Sequence, residues 1–325
     1  MKIITPSVEL VNANVPAYDR AKHVELCGRV CYKSEDKITD DSAEKFIAGI
    51  IRRGHEAVLE HARITLDLTK KADIQMMLFI VLRKMQGMGI HDYMTITSEG
   101  DRYIVSGNMR AWRGISAFAT LPDNPGVKPL SEMLLRMIWA ENPAFFPEYY
   151  KPEYADLPDM LLDVSPEDYP FDRYIRYKHS WYTLRFICDR GISHEIVRHR
   201  PASYCQESSR YNCYSNAKFG NEITVIKPCF LNEGTESYLL WKSACRAAEN
   251  AYMGMLDEGC SAQEARDVLP TSTKTELVMT ATADEWVHFL SLRTSEAAHP
   301  QMREVAYMAQ KVLAAEDEDL FGSVK

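Results

Sequence analysis

The spacing of apolar residues predicts both helices and strands in the first part of the chain. Residues 41–53 place four apolar side chains on one face of a helix: Phe46, Ile47, Ile50 and Ile51. Gly54 follows directly and predicts the end of that helix. Residues 62–69 alternate apolar side chains and predict a strand, whereas the apolar run at 73–86 predicts a helix.

Strands and helices continue to mix through the rest of the chain, without a regular strand–helix–strand cadence. Alternating apolar residues predict strands at 102–107, 181–190, 222–228 and 274–282. Helical spacing predicts a helix that carries Trp112 and further helices at 191–199, 235–259, 261–270, 283–294 and 300–315. Ser261 and Glu264 form a capping-box sequence, and Pro201 disfavours helix at Arg200. The pattern therefore predicts the α+β class.

Residues 142–170 differ from the surrounding chain in composition. Proline is frequent there, together with Asp, Glu and Tyr. Because proline and polar residues break regular structure, this composition predicts an extended segment on the surface.

The overall composition is that of an acidic globular protein. The 325 residues are 46% hydrophobic and 26% charged, with 38 Lys and Arg against 46 Asp and Glu, which leaves a net charge of −8. That balance argues against a general nucleic-acid-binding protein but allows a local basic pocket for a small anion. The longest apolar run, at 76–82, is too short to span a bilayer, and the N-terminus lacks the apolar core of a signal peptide. We therefore expect a cytoplasmic protein that binds neither nucleic acid nor membrane.

A dense group of cations stands out from this acidic background in the segment RHRPASYCQESSRY, residues 198–211. Its charged members are Arg198, His199, Arg200 and Arg210. They lie among small and hydroxylated residues, including Ser208 and Ser209, rather than among Lys and Glu as on a solvated charged face. Guanidinium groups with hydroxyl donors suit a phosphate or a planar anionic ring. We therefore favour an anion-binding site over a solvated surface.

An arginine from another part of the chain raises the same question. Arg293 lies three and four positions after Leu290 and Phe289, and therefore on the apolar face of its predicted helix. A core-facing guanidinium needs either a carboxylate partner or an anionic ligand, and the spacing leaves both open. Arg266, in the capped helix, is a weaker case of the same kind.

Three other kinds of site are less well supported. His194 and His199 are five positions apart, whereas the histidines of a zinc-peptidase helix are four apart, so we predict no metal site there. The segment GMGIHD at 87–92 lacks the third glycine of a dinucleotide-binding turn. Cationic neighbours would favour a nucleophilic Cys205, but we prefer a small buried thiol. The eight cysteines form no C-x-x-C pair and suit free thiols in a reducing compartment.

The cation-rich segment resembles the signature of flavin-dependent thymidylate synthases, in which R-H-R is followed after seven residues by Ser. Here the R-H-R at 198–200 precedes Ser208, and Arg210 also fits. Further segments resemble that family in the same order: RVCYKSED at 29–36, GHEAVLEH at 54–61, FICDRGISHEIVRHR at 186–200, EARDVLP at 264–270 and FLSLRTSEAAHPQMR at 289–303.

The resemblance covers about 1–65 and 180–310 and implies a single domain over residues 1–325. It implies the fold of that family, an α+β arrangement of a mixed sheet with flanking helices. A large, mainly helical insertion at about 66–180 would interrupt this fold. The resemblance also implies a homotetramer whose active sites lie where subunits meet.

The resemblance further implies a methyltransferase that converts dUMP to dTMP. Methylenetetrahydrofolate would donate the methylene group, and NADPH would reduce bound FAD, which supplies the hydride. No cysteine attacks the pyrimidine in this family. That agrees with Cys205 as a buried thiol, at a position where many members have Asn or Ser.

The residues that match the family's motifs take their expected roles from it. FAD contacts are expected at His55, Arg198, His199, Arg200, Gln206, Thr282 and His288. Contacts to dUMP are expected at Glu195, Arg198, Gln206, Glu207, Ser208, Ser209, Arg210, Arg266 and Arg293. Arg293 is also the expected catalytic residue, because a fixed cation at the uracil ring would favour its N3-ionised form and stabilise charge that develops during transfer. No metal is expected.

Three positions depart from the family's pattern. Thr282 and Asp284 stand where many members have the Asn and Arg that contact FAD, and His288 stands where many have Asn. Asp284 would repel a pyrophosphate unless it points away, so it is left out of the expected site. These departures keep a second interpretation open, a non-catalytic nucleotide-binding protein on the same fold.

Overall fold

Nine strands and twelve α-helices lie in the residues that the computed structural model describes, which are 1–85, 93–100, 102–120, 128–156, 168–169 and 172–324. The strands are β1 (Lys2–Ile4), β2 (Ser7–Ala13), β3 (Arg63–Asp67), β4 (Met94–Glu99), β5 (Arg102–Asn108), β6 (Trp181–Asp189), β7 (Ser203–Gln206), β8 (Thr224–Ile226) and β9 (Lys274–Thr282). The helices are α1 (Arg20–Val30), α2 (Ser42–Arg52), α3 (Ala72–Lys84), α4 (Met109–Ala119), α5 (Lys128–Glu141), α6 (Arg173–His179), α7 (Arg190–Ile196), α8 (Glu236–Asp257), α9 (Ala262–Ala265), α10 (Ala283–Arg293), α11 (Pro300–Glu316) and α12 (Glu318–Phe321). The α+β class is confirmed.

The strands form three small sheets with helices beside them. The largest has the order β2-β6-β9-β7, and all its neighbours are antiparallel. A second sheet has the antiparallel order β3-β5-β4. The third pairs β1 with β8 in parallel. Both parallel and antiparallel pairs are therefore present.

One hydrophobic core joins the four-stranded sheet to the C-terminal helices. Leu184 and Phe186 of β6 and Met279 of β9 are fully buried against Trp286 and Leu290 of α10. Buried residues of α11 and α12 complete this layer. Because β9 runs directly into α10, the sheet fixes where the last turn of α10, with Arg293, comes to lie.

A second core joins the N-terminal helices to the chain between β3 and β6. Ile47 of α2 and Leu59 belong to the same buried cluster as Trp112, Leu135 and Phe145. The predicted insertion at about 66–180 therefore shares its core with the residues before it. Its boundaries and the single domain over 1–325 stay predictions.

The prediction of an extended surface segment at 142–170 is wrong for its described part. Two 3-10 helices lie there, at Pro143–Phe145 and Pro152–Asp156. Phe145 and Phe146 are buried in the second core, because apolar side chains between the prolines still favour burial. Residues 157–167 and 170 lie outside the described residues, as does the GMGIHD segment at 87–92.

Most other predicted elements are confirmed, but several observed elements were not predicted, among them the helices α1 and α5 and the strands β2 and β4. The helix at 41–53 is α2, and the capping box of Ser261 and Glu264 is present. The helix predicted at 191–199 ends earlier, at Ile196, in a turn that leads to Pro201. The four-residue strand β7 was not predicted. Within the described residues, no helix is long and apolar enough to cross a membrane.

Buried histidines should make the fold sensitive to acid. Burial lowers the pKa of His61 to about 3 and those of His23 and His179 to about 4, against 6.5 when unperturbed. The unfolded chain therefore binds more protons below pH 6.5. We expect the free energy of unfolding to fall as pH drops from 7 towards 4, by up to ~1.4 kcal/mol per pH unit for each histidine.

Urea unfolding at pH 7.5, 6 and 5 measures this dependence. Replacement of His61 by Gln keeps a polar side chain near Thr280, whose Oγ1 lies 2.7 Å from His61 Nδ1, but removes one titrating group. In the variant, the free energy of unfolding should depend less steeply on pH, by the contribution of one histidine. An identical slope in the variant and the parent protein would contradict the assignment.

Candidate active site

The strand β7 places the segment that follows it at one edge of the four-stranded sheet. Gln206 pairs with Leu277 of β9, and the N–H of Glu207 extends the ladder by donating to the carbonyl of Glu276 at 2.7 Å. The N–H of Ser208 then donates to the carbonyl of Cys31 at 3.0 Å. The backbone of this loop is therefore held between the sheet and the end of α1.

A cleft of about 240 Å³ opens beside that loop. Its lining residues are Arg190, His194, Gln206, Glu207, Ser208, Ser209, Tyr214, Arg266, Lys274 and Thr275. Five of the residues expected at dUMP line this one cleft, although Arg266 lies far from the loop in sequence. The expected phosphate region is thus assembled from three separate parts of the chain.

Cations in the cleft outnumber its carboxylates. Arg190 Nη1 donates to Ser209 Oγ at 2.6 Å. Lys274 Nζ donates to the buried Glu207 at 2.7 Å. Arg266 is half-buried and forms no ion pair with any described residue. Guanidinium and hydroxyl groups of this kind bind phosphate well, so the cleft suits a phosphorylated ligand.

The side chain of Gln206 is partly engaged within the protein. Its Nε2 donates to Ser193 Oγ at 2.9 Å and to Thr275 Oγ1 at 3.2 Å. These bonds tie β7 to α7 and β9. The expected contacts of Gln206 to FAD and dUMP stay predictions.

Arg293 contacts Glu195, at the end of α7. Its Nη2 donates to the Glu195 carbonyl at 3.1 Å, and its Nη1 lies 3.7 Å from the Glu195 carboxylate. Its Nε is buried and has no hydrogen-bond partner among the described residues. The carboxylate option left open by the sequence is therefore present, while the expected contact of Arg293 to dUMP stays a prediction.

Two histidines pack together beside α10, His288 of that helix and His199 from the segment after α7. The buried ring of His199 packs edge-on against His288 and Phe289, with centroids 5.2 and 5.5 Å away. The Glu285 carboxylate lies 3.3 Å from His199 Nε2 and 3.6 Å from His288 Nδ1. We call His199, Glu285 and His288 the histidine cluster.

The other expected cations lie at the surface. Arg198 and Arg200 are exposed, and the Arg200 guanidinium lies 5.0 Å above the Tyr204 ring. Arg210 is exposed, lies outside the cleft lining, and donates from Nε to Gln263 at 3.1 Å. His55 is exposed before a 3-10 helix at Glu56–His61 and also lies outside the cleft lining.

Asp284 is neutralised by its own neighbours. Lys178 donates to one carboxylate oxygen at 3.0 Å, and the Thr282 hydroxyl donates to the other at 2.5 Å. Thr282 and Asp284 line a small pocket of about 70 Å³, together with the buried Arg63. Burial lowers the pKa of Arg63 to about 10, and the nearby Asp284 partly offsets that effect.

Several residues of the cleft were missed by the sequence analysis. Arg190 stands where a predicted strand becomes a helix, and this strand end was the available signal. Lys274 had no local signal, because it reaches the loop only through the pairing of β7 with β9. Outside the cleft, Tyr204 was also missed, although its hydroxyl donates to the His199 carbonyl at 2.8 Å and burial raises its pKa.

The segments that form the cleft and the histidine cluster also match a known protein family. A family model described as "Thymidylate synthase complementing protein" matches residues 10–77 and 176–316, which is more than half of the chain. The chain belongs to the thymidylate synthase complementing protein family. The matched segments of the family model contain the cleft loop, the histidine cluster and Arg293.

Individual relatives cover less of this family member. A flavin-dependent thymidylate synthase of Geobacter sulfurreducens is 35% identical over 117 residues, which are 36% of this chain and 49% of the relative. One of Pyrococcus furiosus is 33% identical over 131 residues, 40% of this chain and 53% of the relative. The chain thus spans about half the length of the curated relatives it matches.

Solved structures show weaker similarity. A flavin-dependent thymidylate synthase of Helicobacter pylori, complexed with FAD and dUMP, is 24% identical, covers 46% of this chain and 74% of its own, and has a TM-score of 0.37. A UMP/dUMP methylase of Streptomyces cacaoi bound with 5-Br UMP is 14% identical, covers 97% and 92%, and has a TM-score of 0.40.

Proposed function

We propose that this family member is a flavin-dependent thymidylate synthase, a methyltransferase that converts dUMP to dTMP. Methylenetetrahydrofolate would donate the methylene group, and the hydride would pass from NADPH by way of FAD. One observation carries the proposal. A cleft with phosphate-binding groups is lined in part by His194, the next residue, Glu195, contacts Arg293, and all of these lie in segments that the family model matches.

The cleft would hold the phosphate of dUMP. Ser208 and Ser209 offer hydroxyl groups, and Arg190 and Arg266 offer guanidinium groups. Glu207 cannot face the phosphate favourably, and its pairing with Lys274 reduces the repulsion. Arg210 would act at the rim of the cleft.

The uracil ring would lie towards Arg293. The free Nε of Arg293 and the carboxylate of Glu195 are complementary to the acceptor and donor atoms of the ring. A fixed cation there would stabilise the N3-ionised form and charge that develops on the ring during transfer. Arg293 therefore stays the proposed catalytic residue.

The histidine cluster and the neighbouring arginines fit FAD. Buried His199 Nε2 and Glu285 Oε2 make no well-aligned hydrogen bond within the described residues, which leaves both available to a polar ligand. Arg198 and Arg200 are exposed and would offer cations to an anionic cofactor. Thr282 and His288 would also contact it, and Asp284, held by Lys178, would not repel it. FAD, when bound, would supply the hydride.

The same cluster has the atoms of a small metal site, because its three ligand atoms all lie within 4.8 Å of one another. We assign the cluster to FAD, because the resemblance implies FAD contacts at His199 and His288 and implies no metal. Metal analysis of the purified protein should find only substoichiometric metal. Stoichiometric zinc would overturn this assignment.

We further propose a homotetramer with active sites shared between subunits, in which exposed His55 approaches FAD and the folate of a neighbouring subunit. We also propose a cytoplasmic location and no binding of nucleic acid or membrane. These proposals rest on the resemblance and the acidic net charge. Light scattering of the purified protein tests the assembly.

The visible absorption spectrum of the purified protein tests the function first. We expect flavin bands that bleach with NADPH under anaerobic conditions, and dTMP after addition of dUMP and methylenetetrahydrofolate. A colourless protein that takes up no FAD but binds dUMP would instead support the non-catalytic nucleotide-binding protein. Flavin without dTMP would refute the synthase proposal.

A further inference from the structure

A small cluster of cysteines lies behind the cleft loop. Cys27 and Cys205 are buried together with Val30 and Val278, and Cys31 packs against them. Cys27 lies in α1, Cys31 follows the last residue of that helix, and Cys205 lies in β7, which contacts α1. All eight cysteines of the chain are free thiols in this structure.

Within this cluster, Cys31 and Cys205 are hydrogen-bonded to each other. The Cys205 thiol donates to the Cys31 sulfur, and the N–H of Gln206 donates to the same sulfur. These bonds lower the pKa of Cys31, whereas the bond to Cys31 and burial raise the pKa of Cys205. Burial also raises the pKa of Cys27. Cys31 is therefore the more acidic of the three thiols.

Cys31, which has the lower pKa, is also the more exposed of the two cysteines. Cys31 is partly exposed, whereas Cys205 is 2% exposed. An oxidant from solvent would reach Cys31 first and would find there the more reactive sulfur. Cys205 would then be placed to react with the oxidised Cys31.

We propose that Cys31 and Cys205 form a reversible disulfide when the protein meets a peroxide, and that this bond weakens binding in the cleft. The Cys31 thiolate attacks one oxygen of hydrogen peroxide, an S–O bond forms, the O–O bond breaks, and protonated hydroxide leaves as water. The Cys205 thiol then attacks the sulfenic sulfur, an S–S bond forms as the S–O bond breaks, and the hydroxyl leaves with the thiol proton as a second water. Sulfur loses two electrons and peroxide gains them. A dithiol reverses the change.

The backbone links this pair directly to the cleft. Cys205 immediately precedes Gln206, which lines the cleft, and the carbonyl of Cys31 accepts the N–H of Ser208 at 3.0 Å. A disulfide requires the two sulfurs to approach to about 2 Å. That approach replaces the hydrogen bond between the two thiols, and we propose that it shifts β7 against the end of α1 and so displaces the loop at 206–209.

Peptide mapping tests the disulfide without any ligand. The intact protein is treated with one equivalent of hydrogen peroxide, alkylated without reductant, digested and analysed by mass spectrometry. We expect a Cys31–Cys205 peptide pair that has lost two hydrogens and that disappears after dithiothreitol. A Cys27–Cys31 bond, or only sulfinic acid at Cys31, would refute the pairing.

Titration with dUMP tests the consequence and rests on the proposed function. Oxidised protein should bind dUMP about tenfold more weakly than reduced protein, and dithiothreitol should restore the affinity. Cys31→Ser and Cys205→Ala should abolish the response, whereas Cys229→Ser, which replaces an exposed cysteine, should keep it. Unchanged affinity in fully linked protein would refute the coupling.

The disulfide and its effect on dUMP binding can be refuted independently of each other. If the reduced protein binds no dUMP, the proposed substrate is wrong, and the peptide map of the parent protein still decides the disulfide. The parent protein also serves as the test if a Cys205 variant fails to fold.

Discussion

Replacement of Arg293 by Ala should abolish dTMP formation while FAD stays bound. The structure places the guanidinium beside Glu195, so its removal takes away the cation that we propose at the uracil ring. Loss of one preorganised donor of this kind costs about 10²–10³ in kcat, and loss of a full positive charge costs at least as much. Flavin absorbance, dUMP affinity and dTMP formation are the three measurements.

The matched controls separate chemistry from folding. Arg83→Ala removes an exposed arginine of α3 and should leave all three measurements unchanged. Arg293→Lys keeps the charge but not the fork of donors, and should fall between the parent protein and Arg293→Ala. An Arg293→Ala protein that makes dTMP at the parent rate would show that Arg293 is not catalytic.

Replacement of Arg266 by Ala should weaken dUMP binding by about ten- to a hundredfold. Arg266 lines the cleft and forms no ion pair with any described residue, so its charge is available to a phosphate. Charge-assisted hydrogen bonds contribute about 1.5–3 kcal/mol, which corresponds to that range. Because the effect acts on the phosphate, the affinity for deoxyuridine should not change.

Arg210 provides the comparison within the same site. It is exposed, donates to Gln263 and lies outside the cleft lining, so Arg210→Ala should weaken dUMP binding by less than Arg266→Ala. Equal losses for dUMP and deoxyuridine in Arg266→Ala would contradict a phosphate contact. A larger loss in Arg210→Ala would show that the rim, and not the cleft, holds the phosphate.

Local patterns predicted many of the longer elements, although the helices α1 and α5 were not predicted. The apolar face of α2, the alternation of β9 and the capping box at Ser261 each depend on residues that are close in sequence, and each is present. Short elements were harder, because β7 has four residues and its pairing with β9 rather than its own pattern makes it a strand. The burial of Phe145 was not predicted, because its sequence neighbours are rich in proline.

The sequence by itself determined the α+β class, the cation-rich segment and the family, because these depend on neighbouring residues and on motifs in order. The tertiary structure alone decided which cations share a site. Arg190, Arg266 and Lys274 meet the loop through the pairing of β7 with β9 and the packing of α7, and Arg210 does not line the cleft. It also decided that Asp284 is paired and that Cys31 faces Cys205. Contacts between distant segments depend on packing, which no local pattern records.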